Sequence, residues 1–167
     1  LSKLNFEVYG VSRKKPNSDF NFNFIECDIS NSELVKEVFQ KFRKDKEVYA
    51  LLNVAGIASM NLLLSTPDET IKRIIETNLL GTIYCTKAII PPLIKSKVGR
   101  IINFTSIAVR ISAKGESTYI ASKGGVEAFS KSIARELSPA NITVNTISPA
   151  YIETKLSSGL SSTIKKT

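Results

Sequence analysis

Two features of the sequence predict an α/β protein built on a doubly wound parallel sheet. Short apolar segments of strand length alternate along the chain with longer segments of helical periodicity, which is the order of elements in βαβ units. The segment 48–53 is apolar without alternation, which is typical of a parallel strand covered on both faces. The 167 residues contain no internal repeat and no sign of a second domain, and they predict one domain over 1–167.

The strands are predicted from apolar runs, and the helices from capping residues followed by periodic apolar positions. Ser30 and Glu33 have the spacing of a capping box, and Thr66 followed by Pro67 marks the start of another helix. Gly124–Gly125 fall inside a helical segment at a cost of about 1 kcal/mol each relative to alanine, which predicts a close helix approach there. The predicted strands are 6–11, 22–27, 48–53, 100–106 and 141–147, and the predicted helices open at Ser30 and run over 66–94 and 117–137.

The composition excludes several kinds of site. The chain has no histidine, which excludes imidazole metal sites and Ser-His-Asp catalysis, and we expect no metal. The net charge of +8 comes from lysines spread along the helices without interleaved aromatics, which indicates a solvated surface rather than nucleic-acid binding. No run approaches the ~18 apolar residues of a membrane helix, and no signal peptide is visible. Cys27 and Cys85 lie far apart in apolar surroundings, which predicts free thiols in a reducing, cytoplasmic compartment.

The residues most suited to chemistry lie between Ser106 and Lys123. Tyr119 and Lys123 are four residues apart, so on a helix both side chains lie on the same face. An ammonium group beside a phenol favours the phenolate, so we expect Lys123 to lower the pKa of Tyr119 towards neutral pH. Ser106 ends an apolar strand, and strand ends are where open α/β sheets bind ligands. Such a Tyr-Lys pair is also common on solvated helix faces. The pair alone therefore does not indicate a functional site, and the surrounding motifs are needed as evidence.

Five segments resemble motifs of the short-chain dehydrogenase/reductase family, in the family's order. The resemblance covers nearly the whole chain and implies a Rossmann-like domain. It also implies an oxidoreductase that transfers hydride between a nicotinamide cofactor and a carbonyl or alcohol. The matching segments are Cys27-Asp28-Ile29, Asn53-Val-Ala-Gly56, Thr77-Asn78-Leu-Leu-Gly81, Ser106 with Tyr119 and Lys123, and Ser148-Pro149-Ala-Tyr-Ile152-Glu-Thr154.

The resemblance implies a role for each matching residue. Tyr119 is expected to protonate a carbonyl oxygen, and Lys123 to hold the ribose hydroxyls of the cofactor. Ser106 is expected to bond the substrate oxygen, and Asn78 to fix a water in a proton relay. Simpler alternatives are that Ser106 caps the next turn and that Asn78 is an ordinary helix residue. The expected cofactor contacts are Ser12, Arg13, Asp28, Ile29, Asn53, Ala55, Gly56, Tyr119, Lys123, Pro149, Ile152 and Thr154.

Several of these contacts also have a structural explanation. Asn53 and Gly56 fit a turn, because both residue types favour turn conformations. Gly56 also fits a close backbone approach to a cofactor. Asp28 fits the flank of a helix N-terminus, and Thr154 fits a loop residue without a ligand.

The turn after the first predicted strand favours NADP as the cofactor. An acid at that position would bond the ribose 2′-hydroxyl of NAD, whereas an arginine accommodates the 2′-phosphate of NADP. The segment 11–15 reads Val-Ser-Arg-Lys-Lys, and the first acid after it is Asp19. We therefore expect Ser12 and Arg13 to recognise the phosphate, with NAD as the alternative cofactor. The alternative role for Arg13 is an ordinary surface charge.

The sequence departs from the family pattern at both ends. The T-G-x-x-x-G-x-G loop, which binds the pyrophosphate in the family, and its strand are missing, as are the family's last helix and strand. We therefore expect a truncated domain whose missing strand belongs between 6–11 and 48–53. Val54 and Ala150 are milder departures from the motifs. The chain starts without methionine, so we expect it to begin inside a longer protein.

These observations favour an NADP-dependent reductase of a 3-oxoacyl or small carbonyl substrate, either free or bound to a carrier protein. One alternative is a polyol, sugar or hydroxysteroid dehydrogenase of the same family. Another is a non-catalytic truncated binding module, which the missing loop favours. The resemblance implies a homotetramer or dimer formed through the helices near 79–95 and 118–137. Gly124–Gly125 support this interface, because they predict a close approach between helices. We expect no nucleic-acid or membrane partner.

Overall fold

The computed structural model describes residues 5–16, 22–44, 47–150 and 152. A π-helical segment, Glu76–Leu80, joins the second and third α-helices, and short 3-10 turns lie at Leu63–Ser65 and Ser138–Ala140. The strands are β1 (Tyr9–Ser12), β2 (Asn23–Glu26), β3 (Ala50–Asn53), β4 (Gly99–Phe104) and β5 (Ile142–Ile147), and the helices are α1 (Ser32–Lys44), α2 (Asp68–Ile75), α3 (Gly81–Lys95), α4 (Ala108–Ile111) and α5 (Ser117–Leu137).

The described strands are all parallel and form two groups. β1 pairs with β2, and β4 lies between β3 and β5, with Asn53 opposite Asn103. This arrangement confirms the α/β class with a parallel sheet. The rings of Phe6 and Tyr49, which precede β1 and β3, meet with their centroids 5.3 Å apart. No described strand pairs with the facing edges of β1 and β3, which is where the family resemblance puts a further strand.

The helices cover one face of β3–β5. Ile101 on that face is 0 % exposed, whereas Leu52 on the opposite face is 39 % exposed. The apolar run at 48–53 predicts cover on both faces, and within the described residues only one face has it. The core on the covered face joins α1, α3 and α5 to the sheet through Val35, Val38, Phe39, Phe42, Cys85, Ala88, Ile89, Leu93, Ile101, Ile133, Leu137 and Ile142.

Both helix starts differ from the predicted caps. The N-terminus of α1 is capped by Asn31, whose Oδ1 accepts the backbone N–H groups of Glu33 and Leu34 at 3.0 and 3.2 Å. Ser30 instead donates its hydroxyl to Asp28, so the predicted capping box is wrong by one residue. Thr66 bonds back to the carbonyl of Leu62 and caps nothing in α2. In both cases a nearby acceptor competes successfully for the hydroxyl.

The helical segment predicted at 66–94 is interrupted in the middle. α2 ends at Ile75, five residues follow in π conformation, and α3 continues to Lys95. A π segment inserts an extra residue into a helix and changes the direction of the side chains around it. Here it contains Asn78, which is fully buried.

Candidate functional site

The site is built at the carboxyl ends of β3 and β4 and on the first two turns of α5. Ser106 follows β4, and its Oγ accepts the backbone N–H of Ala108 at 3.2 Å, so it caps the turn that follows. The same hydroxyl lies close enough to the phenol of Tyr119 to lower the pKa of that phenol in part. The Nζ of Lys123 lies 6.0 Å from the centroid of the Tyr119 ring. It donates a hydrogen bond of 2.8 Å to the carbonyl oxygen of Phe104, the last residue of β4. The structure therefore brings Ser106, Tyr119 and Lys123 together as the spacing predicts.

Burial determines the pKa values of the two titratable residues here. Lys123 is 5 % exposed, and burial lowers the pKa of its ammonium from 10.5 to about 8. Burial also raises the pKa of Tyr119, the nearby carboxylate of Glu116 raises it further, and the bond with Ser106 lowers it only in part. The expected lowering of the Tyr119 pKa by Lys123 is therefore wrong for this structure. The reason is that both groups are desolvated, and the ammonium is bonded to a carbonyl instead of the phenol.

Asn78 links the π segment to the loop after β3. Its Oδ1 accepts the backbone N–H of Ile57 at 2.8 Å, and its Nδ2 donates to the carbonyl of Ile57 at 2.9 Å. Nδ2 also donates to Ser122 at 3.0 Å. The side chain of Asn78 thus fastens the loop that contains Ala55 and Gly56, rather than pointing freely to solvent.

Gly56 lies where any side chain would enter the site. A Cβ added to Gly56 would come within 3.3 Å of both the Nζ of Lys123 and the Oδ1 of Asn78. That contact is tighter than carbon atoms normally make. The glycine therefore keeps space open beside the ammonium group, into which a ligand can approach.

Asn53 is part of a buried polar network that holds the sheet to two helices. Its Nδ2 donates to Thr86 of α3 at 3.1 Å and to Asn103 of β4 at 2.8 Å. Asn103 in turn donates to Ser130 of α5 at 2.7 Å. The amide nitrogen of Asn53 is used inside the protein, so this side chain positions the end of β3.

The expected adenosine contacts lie at the carboxyl ends of β1 and β2. Arg13 is exposed, and Ser12 donates its hydroxyl to the carbonyl of Lys14 at 2.7 Å. Burial opposes the ionisation of Asp28, but two hydrogen bonds from Ser30 and the charge of Arg13 outweigh it, so the pKa of Asp28 is lowered. Asp28 therefore shapes the turn before α1 and lies near the charge of Arg13.

The neighbouring Ile29 packs against the first residue of α3. A Cβ added to Gly81 would lie 3.2 Å from the backbone oxygen of Ile29 and closer still to its side chain. This contact fixes the turn after β2 relative to the π segment and α3.

The segment after β5 reaches the site through its backbone. The carbonyl of Pro149 accepts the N–H of Ile107 at 3.1 Å, so this segment lies against the residue that follows Ser106. Ile152 is 59 % exposed. Thr154 lies outside the described residues, and its expected contact stays a prediction.

Four buried polar residues around the site were not predicted from the sequence. Their side chains bond to one another or to the side chains of predicted residues, and each is at most 2 % exposed. Nothing in the residue types distinguishes them from other serines, threonines and asparagines, because their burial depends on which helices meet. They are Thr86, Asn103, Ser122 and Ser130.

Two other kinds of feature were not found in the part of the chain that the structure describes. No helix there is long and apolar enough to cross a membrane. No three side chains of the metal-binding types gather there in a group that could hold a metal ion.

The chain is similar to curated 3-oxoacyl-(acyl-carrier-protein) reductases. It is 38 % identical over 144 residues to a 3-oxoacyl-(acyl-carrier-protein) reductase of Chlamydia pneumoniae, covering 86 % of this chain and 58 % of that protein. It is also 38 % identical over 135 residues to the Escherichia coli K12 protein of the same name, covering 80 % of this chain and 55 % of that protein. The chain thus spans little more than half the length of these relatives.

Solved structures with the same fold include two dehydrogenases. An aldohexose dehydrogenase of Thermoplasma acidophilum, in ligand-free form, has a TM-score of 0.85 and 32 % identity, covering 96 % of this chain and 66 % of that chain. A 4-hydroxyisoleucine dehydrogenase, complexed with NADH and succinate, has a TM-score of 0.81 and 27 % identity, covering 89 % of this chain and 70 % of that chain.

The family described as short chain dehydrogenase matches residues 8–165. This range contains the two halves of the sheet, the buried asparagine of the π segment and the Ser106–Tyr119–Lys123 cluster. Because the match leaves almost no part of the sequence outside it, the chain belongs to the short-chain dehydrogenase family.

Proposed function

We propose that the protein is a nicotinamide-dependent oxidoreductase that reduces the carbonyl group of a 3-oxoacyl or small carbonyl substrate. The observation that supports this most directly is the contact between the Ser106 hydroxyl and the Tyr119 phenol, with the buried ammonium of Lys123 over the Tyr119 ring. Polar groups placed at the carboxyl ends of parallel strands are suited to bind and protonate a substrate oxygen.

The residues present fit the nicotinamide half of the cofactor. Lys123 uses one donor on the carbonyl of Phe104, which leaves ammonium donors for ribose hydroxyls. Gly56 keeps the adjacent space free, because any Cβ there would crowd the ammonium group. When bound, the cofactor supplies the hydride that reduces the carbonyl carbon.

Tyr119 donates its phenolic proton to the carbonyl oxygen of the substrate, and Ser106 hydrogen-bonds the same oxygen. The raised pKa of Tyr119 keeps the phenol protonated at neutral pH, which is the form needed for reduction. In the opposite direction, the phenolate must accept a proton from the alcohol, so oxidation is favoured as the pH rises.

The test is the substitution Tyr119→Phe in the full natural protein, with Tyr84→Phe as the control. Tyr84 is a half-buried tyrosine of α3 packed against the core. Loss of the acid should lower kcat by about 100- to 10,000-fold, and loss of one hydrogen bond should lower stability by no more than about 1 kcal/mol. Tyr84→Phe should keep normal kcat. If Tyr119→Phe retains most of the activity, the proposed proton donor is wrong.

NADP is the proposed cofactor, because Arg13 is exposed at the end of β1 and Asp28, the acid whose pKa its charge lowers, is engaged with Ser30. An arginine at this position can pair with the 2′-phosphate. The variant Arg13→Asp should reverse the preference, and Lys14→Asp, one residue further along the turn, is the control. The measured quantity is the ratio of kcat/KM for NADPH and NADH. An unmutated protein that prefers NADH would contradict the assignment.

A second candidate is a sugar or polyol dehydrogenase. It is supported by the likeness to the aldohexose dehydrogenase, which has a TM-score of 0.85. A panel that contains a 3-oxoacyl thioester, its carrier-protein conjugate and several aldoses distinguishes the two candidates by kcat/KM. Equal lack of turnover on all of them would favour a non-catalytic binding module.

The remaining assignments concern the protein as a whole. We propose a cytoplasmic protein that forms a homodimer or homotetramer through α3 and α5, for which light scattering is the test. The glycine pair no longer adds to this proposal, because Gly125 makes its close approach to Leu79 of the same chain.

A further inference from the structure

Ser122 is a buried serine between two residues of the site. It lies on α5, three residues after Tyr119 and next to Lys123, and it is 0 % exposed. Its Oγ donates a hydrogen bond of 2.7 Å to the backbone carbonyl of Tyr119. The same oxygen accepts the Nδ2 of Asn78 at 3.0 Å. The hydroxyl therefore joins the turn of α5 that carries the phenol to the π segment.

Asn78 continues this connection to the loop after β3. Its amide holds both the N–H and the carbonyl of Ile57, and its second N–H goes to Ser122. Both N–H groups of the amide, and its oxygen, are thus bonded to protein groups. Without the acceptor at Ser122, one N–H of a fully buried amide would lack a partner, which costs more than the bond itself contributes.

The loop fastened in this way borders the ammonium group. Gly56 precedes Ile57, and a Cβ added to Gly56 would lie 3.3 Å from both Asn78 Oδ1 and Lys123 Nζ. A small rotation of the Asn78 amide would therefore move the loop edge beside Lys123. Close packing leaves little room for compensating shifts.

We propose that Ser122 is a positioning residue for the reaction. Its hydroxyl connects the turn that carries Tyr119 to the clamp, which is the pair of hydrogen bonds between the Asn78 amide and the backbone of Ile57. It thereby keeps both in place beside Lys123. This inference rests on the proposed oxidoreductase function for its kinetic consequence. Its structural part, the dependence of the Ile57 clamp on Ser122, can be measured without any turnover.

Ser130 provides a matched control on the same helix. It is 2 % exposed, donates to the carbonyl of Val126 at 2.7 Å, and accepts the Nδ2 of Asn103 at 2.7 Å. Its local bonding is therefore the same in kind as that of Ser122. The difference is that its asparagine partner lies inside the sheet and not at the loop beside Lys123.

The experiment compares Ser122→Ala and Ser130→Ala in the full natural protein. Both variants should lose similar stability, because each leaves one buried asparagine N–H without its acceptor. Ser122→Ala should lower kcat about tenfold, as expected when about one hydrogen bond of positioning energy is lost, while the KM for the carbonyl substrate changes less than twofold. Ser130→Ala, which loosens the sheet network behind the site and not the loop beside Lys123, should lower kcat clearly less than Ser122→Ala does.

Hydrogen exchange at the Ile57 amide gives the independent measurement. In Ser122→Ala this amide should exchange about tenfold faster than in the unmutated protein, since loss of one bond loosens the clamp by that factor. In Ser130→Ala it should exchange at the unmutated rate. Ser122→Cys, which nearly conserves the shape but bonds weakly, should behave like Ser122→Ala and serves if the alanine variant does not fold.

The outcomes separate this inference from the proposed function. If the unmutated protein turns over no carbonyl or alcohol substrate, the function is wrong, and the Ile57 exchange still tests the clamp. If Ser122 and Ser130 variants lose kcat equally, or if Ile57 exchange is the same in both, Ser122 only fills the core and the inference is overturned.

Discussion

At the scale of single residues, burial sets the protonation of the site. Lys123 is almost fully enclosed between α5 and the end of β4, so its charged form is disfavoured and its pKa falls to about 8. The neutral form of Tyr119 is favoured for the same reason. The free protein therefore has a protonated phenol at neutral pH and an ammonium group that loses its proton only slightly above it.

The lowered pKa of Lys123 predicts a pH dependence of stability. Between about 8 and 10.5, the unfolded chain holds a proton at this lysine that the folded chain has released. Raising the pH through this window therefore favours the folded state. The free energy of unfolding of the unmutated protein, minus that of Lys123→Met, should increase from pH 7 to pH 10. Lys131→Met, at an exposed lysine of α5, is the control for removing a lysine from the same helix, and the increase should be larger for Lys123→Met.

The outcome that contradicts this expectation is a flat difference for Lys123→Met. It would mean that the ammonium is solvated in the folded protein and titrates as in the unfolded chain. Urea unfolding without added cofactor is the suitable measurement, because a bound ligand would itself shift the pKa.

At the scale of elements, α5 packs closely against the π segment. A Cβ on Gly125 would lie 3.0 Å from the Cδ2 of Leu79, whereas a Cβ on Gly124 would lie 3.9 Å from the nearest atom, in Val109. The predicted close approach is therefore confirmed for Gly125 but not for Gly124. It brings the turn after Tyr119 and Lys123 against the helix that carries Asn78.

The two neighbouring glycines should respond differently to substitution. Gly124→Ala should stabilise the protein by up to about 1 kcal/mol, because alanine favours the helix and the added methyl meets only an ordinary contact. Gly125→Ala should stabilise the protein less than Gly124→Ala or destabilise it, since Leu79 must move. Gly125→Val should lower the free energy of unfolding further. The free energies of unfolding of the three variants provide the test. Equal stabilisation by both alanines would show that the contact with Leu79 is loose.

At the scale of the whole molecule, two surfaces of the sheet have no partner among the described residues. One is formed by strand edges, and the other is a sheet face. The facing edges of β1 and β3 have no described strand between them. On the uncovered face of β3–β5, Leu52 and Ile147 are 39 % and 44 % exposed. Unpaired edges and an apolar sheet face are both surfaces that promote association between chains.

We therefore expect the 167-residue chain, expressed by itself, to be poorly stable and inactive. Its thermal unfolding should be broad, it should bind an apolar dye such as ANS, and added NADPH should not raise its unfolding temperature. Leu52→Ser with Ile147→Ser should reduce the dye binding, and the exposed, site-remote Leu34→Ser on α1 is the control. A sharp transition that rises with NADPH would show that these residues fold and bind the cofactor unaided.

Much of the fold and the centre of the site could be predicted from residue patterns. Local patterns carry this information, because strand-length apolar runs and the four-residue spacing of Tyr119 and Lys123 constrain each element on its own. The helix predicted at 117–137 is observed as Ser117–Leu137, and the strand predicted at 141–147 as Ile142–Ile147. Ser106 meets Tyr119 as its place at the end of a strand suggests.

The remaining features depend on contacts between distant segments, which no local pattern records. The pKa of Tyr119 is raised rather than lowered, because desolvation depends on the packing of α5 against β4. The side-chain amides of Asn53 and Asn78 form hydrogen bonds inside the protein, because Asn103 and Ser122 lie within reach of them in space. Buried polar groups must find partners, and which partners are in reach is known only once the helices and strands have met.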